Sequence, residues 1–268
     1  MMRRDHLGNI IADLRRSIED KTGRKQPIAE QKFHKHAEYI SYGLKTADFY
    51  TLMDSFSSRF LELSLEESLQ LSQALLSTHV GELGHSGIRV ISLSIGELTP
   101  GHFPVLDRLM DDFRSWSHVD HFCGSVLQPL LLKYREETLA QLDVWNGSAQ
   151  RFKRRASVIV FVRKIGESGD FVEEALNLCK NLIWEKDPIV QKGVGWALKD
   201  NLRSAPELVV PFIKNLRRLG VSSTITLYAI RDLKGRLRQE VLAVKKEPEQ
   251  AKQRCCDQRS FKRKIPLC

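Results

Sequence analysis

The sequence lacks most of the features that direct a protein into a membrane or out of the cell. No apolar run reaches the roughly 18 residues that a membrane-spanning helix needs, and the N-terminal segment MMRRDHLGNIIADLRRS is polar and amphipathic where a signal peptide would be apolar. The 5 cysteines are an odd number without CxxC spacing, which fits a reducing compartment better than a disulfide framework. We therefore expect a cytoplasmic protein that does not contact a membrane.

Basic residues exceed acidic ones, but unevenly along the chain. The formal net charge of +9 over 268 residues suggests a polyanionic partner. Residues 1–144 carry 16 Lys and Arg against 20 Asp and Glu, residues 145–220 carry 14 against 8, and residues 234–268 carry 11 against 4. A basic terminal run is commonly a solvated tail. We therefore predict a domain over 1–233, a flexible basic tail over 234–268, and a binding role for the excess charge at 145–220.

Signals for β-strands are also scarce, and hydrophobic periodicity predicts an all-α protein. Two short apolar stretches, 88–95 and 158–162, lack hairpin turns on either side and are predicted to be buried helices. Proline, serine and aspartate near the starts of apolar-periodic segments mark the helix boundaries. The predicted helices span 63–77, 101–114, 116–132 with a kink at Pro129, 134–146, 148–165, 169–184, 187–203, 206–219 and 223–232.

A weak internal repeat accompanies this succession of helices. The segments FKRRASVI and IVQKGVGW lie 37 residues apart, and a basic residue followed by a small one recurs in them as Arg155-Ala156 and Lys192-Gly193. Such a rhythm is typical of HEAT-like helix pairs. Stacked pairs would form a solenoid whose second helices line a concave face.

The segment WSHVD places Trp116 and Asp120 on one face of a helix, because residues four apart are neighbours there. A half-buried tryptophan and an aspartate interacting with the helix dipole would explain the pair without any function. Two other residues favour a functional interpretation: Arg155, 35 residues after Asp120, and Trp196 in the next repeat.

Four segments together resemble the AlkD-type DNA alkylation repair glycosylases. They are WSHVD, RFKRRAS, IVQKGVGWALKD and, upstream, the segment YISYGLKT that begins at Tyr39. The resemblance covers about residues 28–232. It implies a right-handed superhelical solenoid of HEAT-like repeats with a basic concave groove for duplex DNA. It also implies excision of cationic alkylpurines such as 3-methyladenine and 7-methylguanine by a monomer without a cofactor, in a bacterial-type cytoplasm where damage brings the protein to the nucleoid.

The resemblance assigns roles residue by residue. Trp116 and Trp196 match the family's two aromatic contacts to the sugar–phosphate backbone of the lesion. Asp120 matches its catalytic carboxylate, and Arg155 matches its phosphate-contacting arginine. The sequence departs from the family at two positions where an aromatic residue is common, Phe152 in place of tryptophan and Ser115 before the first tryptophan.

The basic residues of the 145–220 segment are predicted to lie near DNA phosphates. The candidates are Arg154, Arg155, Lys192 and Lys199. Among them an ionised and unpaired Asp120 would stabilise the positive charge that develops on deoxyribose when an N-glycosidic bond breaks. The base is already cationic, so no general acid is required.

The rival hypothesis is a non-catalytic helical-repeat scaffold that binds DNA structures or proteins. The set of Trp116, Asp120, Arg155 and Trp196 on the concave face separates the two, because a scaffold has no need of an unpaired carboxylate in a basic groove. We predict no metal site, since His118 and His121 share a helix face without further ligands at matching spacing. His79 and His85 are separated by two glycines, which predict a loop between them.

Overall fold

A computed structural model describes residues 2–30 and 38–247 of the chain. Within these ranges two short strands, β1 (Ile28–Ala29) and β2 (Ile40–Ser41), pair antiparallel, and most other residues are helical. The helices are α1 (Met2–Lys21), α2 (Thr46–Leu61), α3 (Leu65–Leu76), α4 (Gly81–Leu93), α5 (Phe103–Asp111), α6 (Trp116–Phe122), α7 (Gln128–Lys133), α8 (Arg135–Asn146), α9 (Arg151–Ile159), α10 (Lys164–Ser168), α11 (Val172–Asn181), α12 (Pro188–Ser204), α13 (Pro206–Leu219), α14 (Ser223–Ala229) and α15 (Gly235–Ala243). The predicted all-α fold of helical repeats is confirmed. No helix of the described part has both the length and the apolar character to cross a membrane.

The helices form two compact units, Met1–Val160 and Phe161–Cys268. In the first unit α3 packs against α4 and α8 against α9, while α4, α6 and α9 contact one another in succession. In the second unit α11 packs against α12, and α12 also contacts α10, α13 and α14. The helices α4, α6 and α9 therefore carry the candidate residues of the first unit, and α12 carries those of the second.

Side chains reach across one repeat in both units. The indole N–H of Trp145 donates to Asp107 in the first unit at 2.7 Å, and the Ser204 hydroxyl donates to the Gly166 carbonyl in the second, also at 2.7 Å. Both bonds join residues 38 positions apart. This separation agrees with the repeat of 37 residues seen in the sequence.

Local sequence signals explain the boundaries of several helices. Ser64 caps α3 and exchanges hydrogen bonds with Glu67 in a capping box, which satisfies donors that a helix start leaves open. Asp187 caps α12 by accepting from the Ile189 amide at 2.8 Å, and Pro188 occupies the first turn, where no amide hydrogen is needed.

Two predicted helices differ from the structure. The helix expected over 116–132 is one continuous segment, but it contains a π-helical turn at Cys123–Leu127 that ends two residues before Pro129. The missing N–H of this proline leaves a carbonyl of the preceding turn without its α-helical donor. The single helix predicted over 148–165 is wrong: α9 ends at Ile159 and α10 begins at Lys164. Side chains of α12 hold the intervening turn, so tertiary contacts override the helical periodicity.

The loop predicted between His79 and His85 is also wrong, because α4 begins at Gly81. The glycines permit close packing at the start of this helix: a Cβ at Gly81 would overlap the Tyr39 ring, and one at Gly84 would lie 2.8 Å from the His118 ring. Glycine is required here for the approach of neighbouring side chains, and it does not mark a turn.

The segment predicted as a tail contains a packed helix. α15 contacts α13, Val241 is fully buried, and the Glu247 amide donates to the Arg218 carbonyl at 2.8 Å. The rest of the predicted tail, 248–268, lies outside the described residues together with its three cysteines. The domain boundary at 233 stays a prediction.

The two cysteines within the described ranges, Cys123 and Cys179, are free and buried. Burial raises the pKa of both thiols, so neither ionises at neutral pH. Since the thiolate is the reactive form, both are packing residues in this state.

Candidate functional site

Helices α6 and α9 bring Asp120 and Arg155 into direct contact. The Arg155 guanidinium donates from Nε to Oδ1 and from Nη2 to Oδ2 of Asp120, both at 3.0 Å. The side chains are 11% exposed for Asp120 and 5% exposed for Arg155. The expectation of an unpaired carboxylate is therefore wrong. The carboxylate is held by a bidentate contact, which fixes its plane and compensates its charge.

The N-terminus of α6 positions Trp116 one turn before Asp120. Ser115 caps this helix by accepting from the Ser117 amide at 3.0 Å, so this serine has a capping role here. Trp116 is half-buried. The sequence thus places an indole and a carboxylate on adjacent turns of one helix, and the bound arginine is added by the packing of α9.

The other basic residues of α9 are engaged within the first unit. Arg154 donates from Nη1 to the carbonyls of Ser148 and Ala149 at 2.9 and 2.7 Å. Lys153, which the sequence did not single out, is buried and lies 2.8 Å from carboxylate oxygens of both Asp107 and Asp111. These cations hold α9 against its neighbours.

In the second unit Trp196 belongs to a polar cluster around Asp200 on α12. The indole N–H donates to Asp200 Oδ2 at 2.8 Å, and the Arg163 backbone amide donates to the same oxygen at 2.7 Å. The Arg163 guanidinium lies over the Trp196 ring, 5.5 Å from its centroid. Asp200 was missed in the sequence, although its position four residues after Trp196 puts both on one helix face.

The two predicted phosphate contacts on α12 differ in exposure. Lys192 is exposed. Lys199 Nζ lies 2.8 Å from Asp200 Oδ1, as an ion pair without hydrogen-bond geometry, and 3.3 Å from Asp232. Lys192 is thus the more accessible of the two for an external anion.

A network of imidazole and hydroxyl groups lies beside Trp116 on α4 and α6. The Nδ1 atoms of His85 and His121 are 3.1 Å apart, so one of them carries a proton and donates to the other. His85 Nε2 is 3.1 Å from the Ser117 hydroxyl. Burial and the electrostatic effect of Arg89 lower the pKa of His121 to about 4. The network is therefore neutral at His121 at physiological pH and ties α4 to the N-terminus of α6.

This environment predicts a loss of stability in mild acid. Between pH 7 and pH 5 the unfolded chain takes up a proton at His121, whose ordinary pKa is about 6.5, and the folded chain does not. The free energy of unfolding should then fall by about 2 kcal/mol over this interval from His121 alone. Urea unfolding at the two pH values should show a smaller fall for His121→Gln than for the parent chain. His6→Gln, which replaces an exposed histidine, is the matched control, and an equal fall in all three would contradict the assignment.

A buried glutamate holds the upstream segment that carries part of the family resemblance. The Glu82 carboxylate accepts from the Tyr42, Gly43 and Leu44 amides at 3.0–3.1 Å and from the Ser41 hydroxyl at 2.7 Å. The sequence analysis missed Glu82. The one feature of the sequence that could have indicated its burial is the position of this carboxylate between apolar neighbours in the first turn of α4. It fixes the turn before α2 to the helix that also carries His85.

Among residues 2–30 and 38–247, no group of three or more His, Cys, Asp or Glu side chains is arranged to hold a metal ion. His118 is instead a packing residue: it is 1% exposed, and its Nε2 lies 3.1 Å from the Gly81 carbonyl. The chemistry available at the site is that of a carboxylate, indoles, imidazoles and guanidinium groups.

Comparisons with known proteins identify the family and the fold of the chain. The family model described as "DNA alkylation repair enzyme" matches residues 14–233, and the chain therefore belongs to the DNA alkylation repair enzyme family. Its fold is similar to that of a solved structure from Enterococcus faecalis, titled a predicted DNA alkylation repair enzyme, with a TM-score of 0.64 and 13% identity over 76% of this chain and 92% of that one. No curated protein sequence matches the chain. Membership of the family supports a role in DNA repair.

Proposed function

We propose that the protein is a DNA glycosylase that hydrolyses the N-glycosidic bond of cationic alkylpurines, such as 3-methyladenine and 7-methylguanine, in duplex DNA. The observation that carries the proposal is the Asp120 carboxylate, oriented by two hydrogen bonds from Arg155 and one helical turn from Trp116. We include in the proposal that the protein acts as a cytoplasmic monomer in base excision repair.

The chemistry needs little more than this arrangement. As the bond between C1′ and the base breaks, the electron pair leaves with the base, which becomes neutral, and positive charge develops on the deoxyribose. Asp120 stabilises that charge and orients a water molecule whose oxygen adds to C1′, and the water's proton passes through the carboxylate to solvent. The half-buried indole of Trp116 adds a cation–π attraction for the sugar.

Arg155 has two roles in this proposal. Its contacts to Asp120 hold the carboxylate in one orientation, and we include in the proposal that the same planar guanidinium contacts a phosphate of the bound DNA, whose oxygens match its geometry. An arginine that contacts both groups would place the carboxylate relative to the DNA backbone.

The direct test is release of free methylated base from methylated duplex DNA by the purified full-length chain. We expect release that depends on enzyme concentration and leaves abasic sites in the duplex. DNA binding without base release would contradict the proposal.

Replacing the indoles tests their contribution to the reaction. Trp116→Ala and Trp196→Ala should each lower base release about 10-fold, which corresponds to about 1.4 kcal/mol in the barrier, and Trp116→Ala should change binding to undamaged duplex less. The matched control is Trp184→Ala, which removes an indole that is 49% exposed and outside the described clusters. Base release at the parental rate from both folded variants would show that the two indoles serve only packing.

Salt dependence tests the proposed contacts to phosphates. Affinity for unmodified duplex should fall steeply with salt, by about one unit of log–log slope per neutralised phosphate. A deletion beginning at 248 keeps the packed α15 and removes six Lys or Arg against two Asp or Glu. We expect most of the slope to remain in this shorter chain. Complete loss of binding on the deletion would assign the phosphate contacts to the C-terminal segment.

One observation favours the rival, a non-catalytic scaffold that binds DNA structures or proteins. The bidentate pair of Asp120 and Arg155 is what a structural ion pair would show as well. A scaffold and a glycosylase differ in base release, so the same assay on methylated duplex separates them.

A further inference from the structure

The turn between α9 and α10 has an unusual backbone at Arg163. Its φ of 57° and ψ of −133° lie in a region that glycine adopts readily and that costs free energy for a residue with a side chain. A glycine would satisfy the same backbone without strain. The presence of an exposed arginine at this position therefore calls for a role of its side chain.

Helix α12 imposes this conformation through two buried side chains. Asp200 Oδ2 accepts the Arg163 amide at 2.7 Å, and the Asn201 side-chain amide donates to the Phe161 carbonyl at 2.9 Å. Both side chains belong to residues that are 1% exposed. These two hydrogen bonds from α12 thus fix the turn, which cannot relax without breaking them.

The same helix supports the Arg163 side chain. The guanidinium lies 5.5 Å from the centre of the Trp196 ring, whose own N–H is held by Asp200 at 2.8 Å. Arg163 is exposed and Trp196 half-buried, so the stacked pair forms part of the protein surface. The Asp200 carboxylate thereby fixes both the backbone conformation of Arg163 and the position of the Trp196 ring against which its side chain stacks.

The neighbouring carboxylates already have other cations as partners. Lys199 Nζ lies between Asp200 and Asp232, and Arg203 forms an ion pair with Glu167. The acidic groups around the turn are therefore compensated by cations other than Arg163.

We propose that the Arg163 guanidinium, stacked on Trp196, is a DNA-binding residue that contacts a backbone phosphate while the indole contacts the adjoining sugar. A planar guanidinium matches two phosphate oxygens, and stacking on an indole limits its motion before binding. Strain at this turn is then the cost of presenting a cation at a fixed place. The inference rests on the proposed action on duplex DNA and adds a residue that the sequence did not single out.

The test compares variants that separate the guanidinium from the strain. Arg163→Ala removes the guanidinium and keeps the strain, Arg163→Gly removes both, and Arg163→Lys keeps a positive charge without the planar stack. Arg218→Gln, which removes an exposed arginine of α13, is the control for net charge. Each full-length variant is measured for its melting temperature, its affinity for unmodified duplex at several salt concentrations, and its release of methylated base.

We expect Arg163→Ala and Arg163→Gly to weaken duplex binding about 5- to 10-fold and to reduce the salt slope by about one. Arg163→Lys should keep the slope and lose about 2- to 3-fold in affinity. Arg163→Gly should melt about 2–4 °C above Arg163→Ala, because glycine relieves the strained backbone. Arg218→Gln should keep the parental affinity.

Two results would overturn the inference: parental affinity and slope in both Arg163→Ala and Arg163→Gly, or an equal loss in Arg218→Gln. Failure of the proposed function is distinguishable from this. A parent chain that binds duplex through Arg163 but releases no base leaves the inference standing and removes the glycosylase. If the parent chain releases base and every Arg163 variant releases it at the same rate with unchanged duplex affinity, the glycosylase stands and the inference about Arg163 is removed.

Discussion

Asp120→Asn should lower the release of methylated base by a factor of about 10²–10³. The substitution keeps the size of the side chain and one oxygen that can accept from Arg155, but it removes the negative charge that opposes the developing charge on the sugar. Binding to unmodified duplex should be at least as tight as in the parent, since repulsion between the carboxylate and phosphates is relieved. Single-turnover release of base, measured beside duplex affinity, checks both expectations.

Loss of stability must be separated from loss of chemistry in this variant, because Arg155 is buried and loses its counter-charge. The double variant Asp120→Asn with Arg155→Gln removes both charges and should recover much of the stability without recovering base release. Asp111→Asn is the matched control. It removes a carboxylate that pairs with Lys153, a residue of the same helix as Arg155, but the Asp111 side chain is 59% exposed. Recovery of base release together with stability in the double variant would make Asp120 a structural residue.

Asp200→Asn should lower the free energy of unfolding by about 3–5 kcal/mol, as expected when one partner of a buried ion pair is removed. Asp200 accepts from the Trp196 indole and the Arg163 amide and faces Lys199, and its side chain is 2% exposed. An asparagine keeps one acceptor oxygen but leaves the lysine without a buried partner. Urea unfolding of the parent and the variant measures the difference.

Asp232→Asn provides the comparison for Asp200, because it also removes a carboxylate that pairs with Lys199. Its side chain is 44% exposed, so the loss should stay below about 1 kcal/mol. Asp200→Asn should also weaken binding to duplex DNA, as Arg163→Ala does, because the Arg163 turn and the Trp196 ring both depend on this carboxylate. Equal and small effects of the two substitutions would contradict the role of Asp200 as the anchor of the cluster.

The fold class and one half of the candidate site could be predicted from the sequence because they depend on spacing along helices. The positions of Trp116 and Asp120 on adjacent turns follow from the periodicity of one helix, and the position of Arg155 in the next repeat follows from the repeat of about 37 residues. What spacing could not show is that the carboxylate is paired. That depends on the distance between α6 and α9, which side-chain packing determines.

The remaining features depend on backbone groups that a sequence does not display. Glu82 acts on three amides of a turn 38 to 40 residues earlier in the chain. The end of α9 at Ile159 depends on Asp200 and Asn201, which bind backbone atoms of the next turn against a helical pattern that continues through 165. Propensity and periodicity are overridden at such places by tertiary hydrogen bonds.

The separation of 38 residues between Trp145 and Asp107, and between Ser204 and Gly166, has a consequence for the speed of folding. Each bond closes a loop of one repeat only, and the entropy of closing a loop grows slowly with its length. A chain whose contacts join neighbours in sequence has a low contact order and folds quickly. Within each unit, a helix pair can therefore add to the one synthesised before it while later residues are still unstructured, so that folding keeps pace with translation.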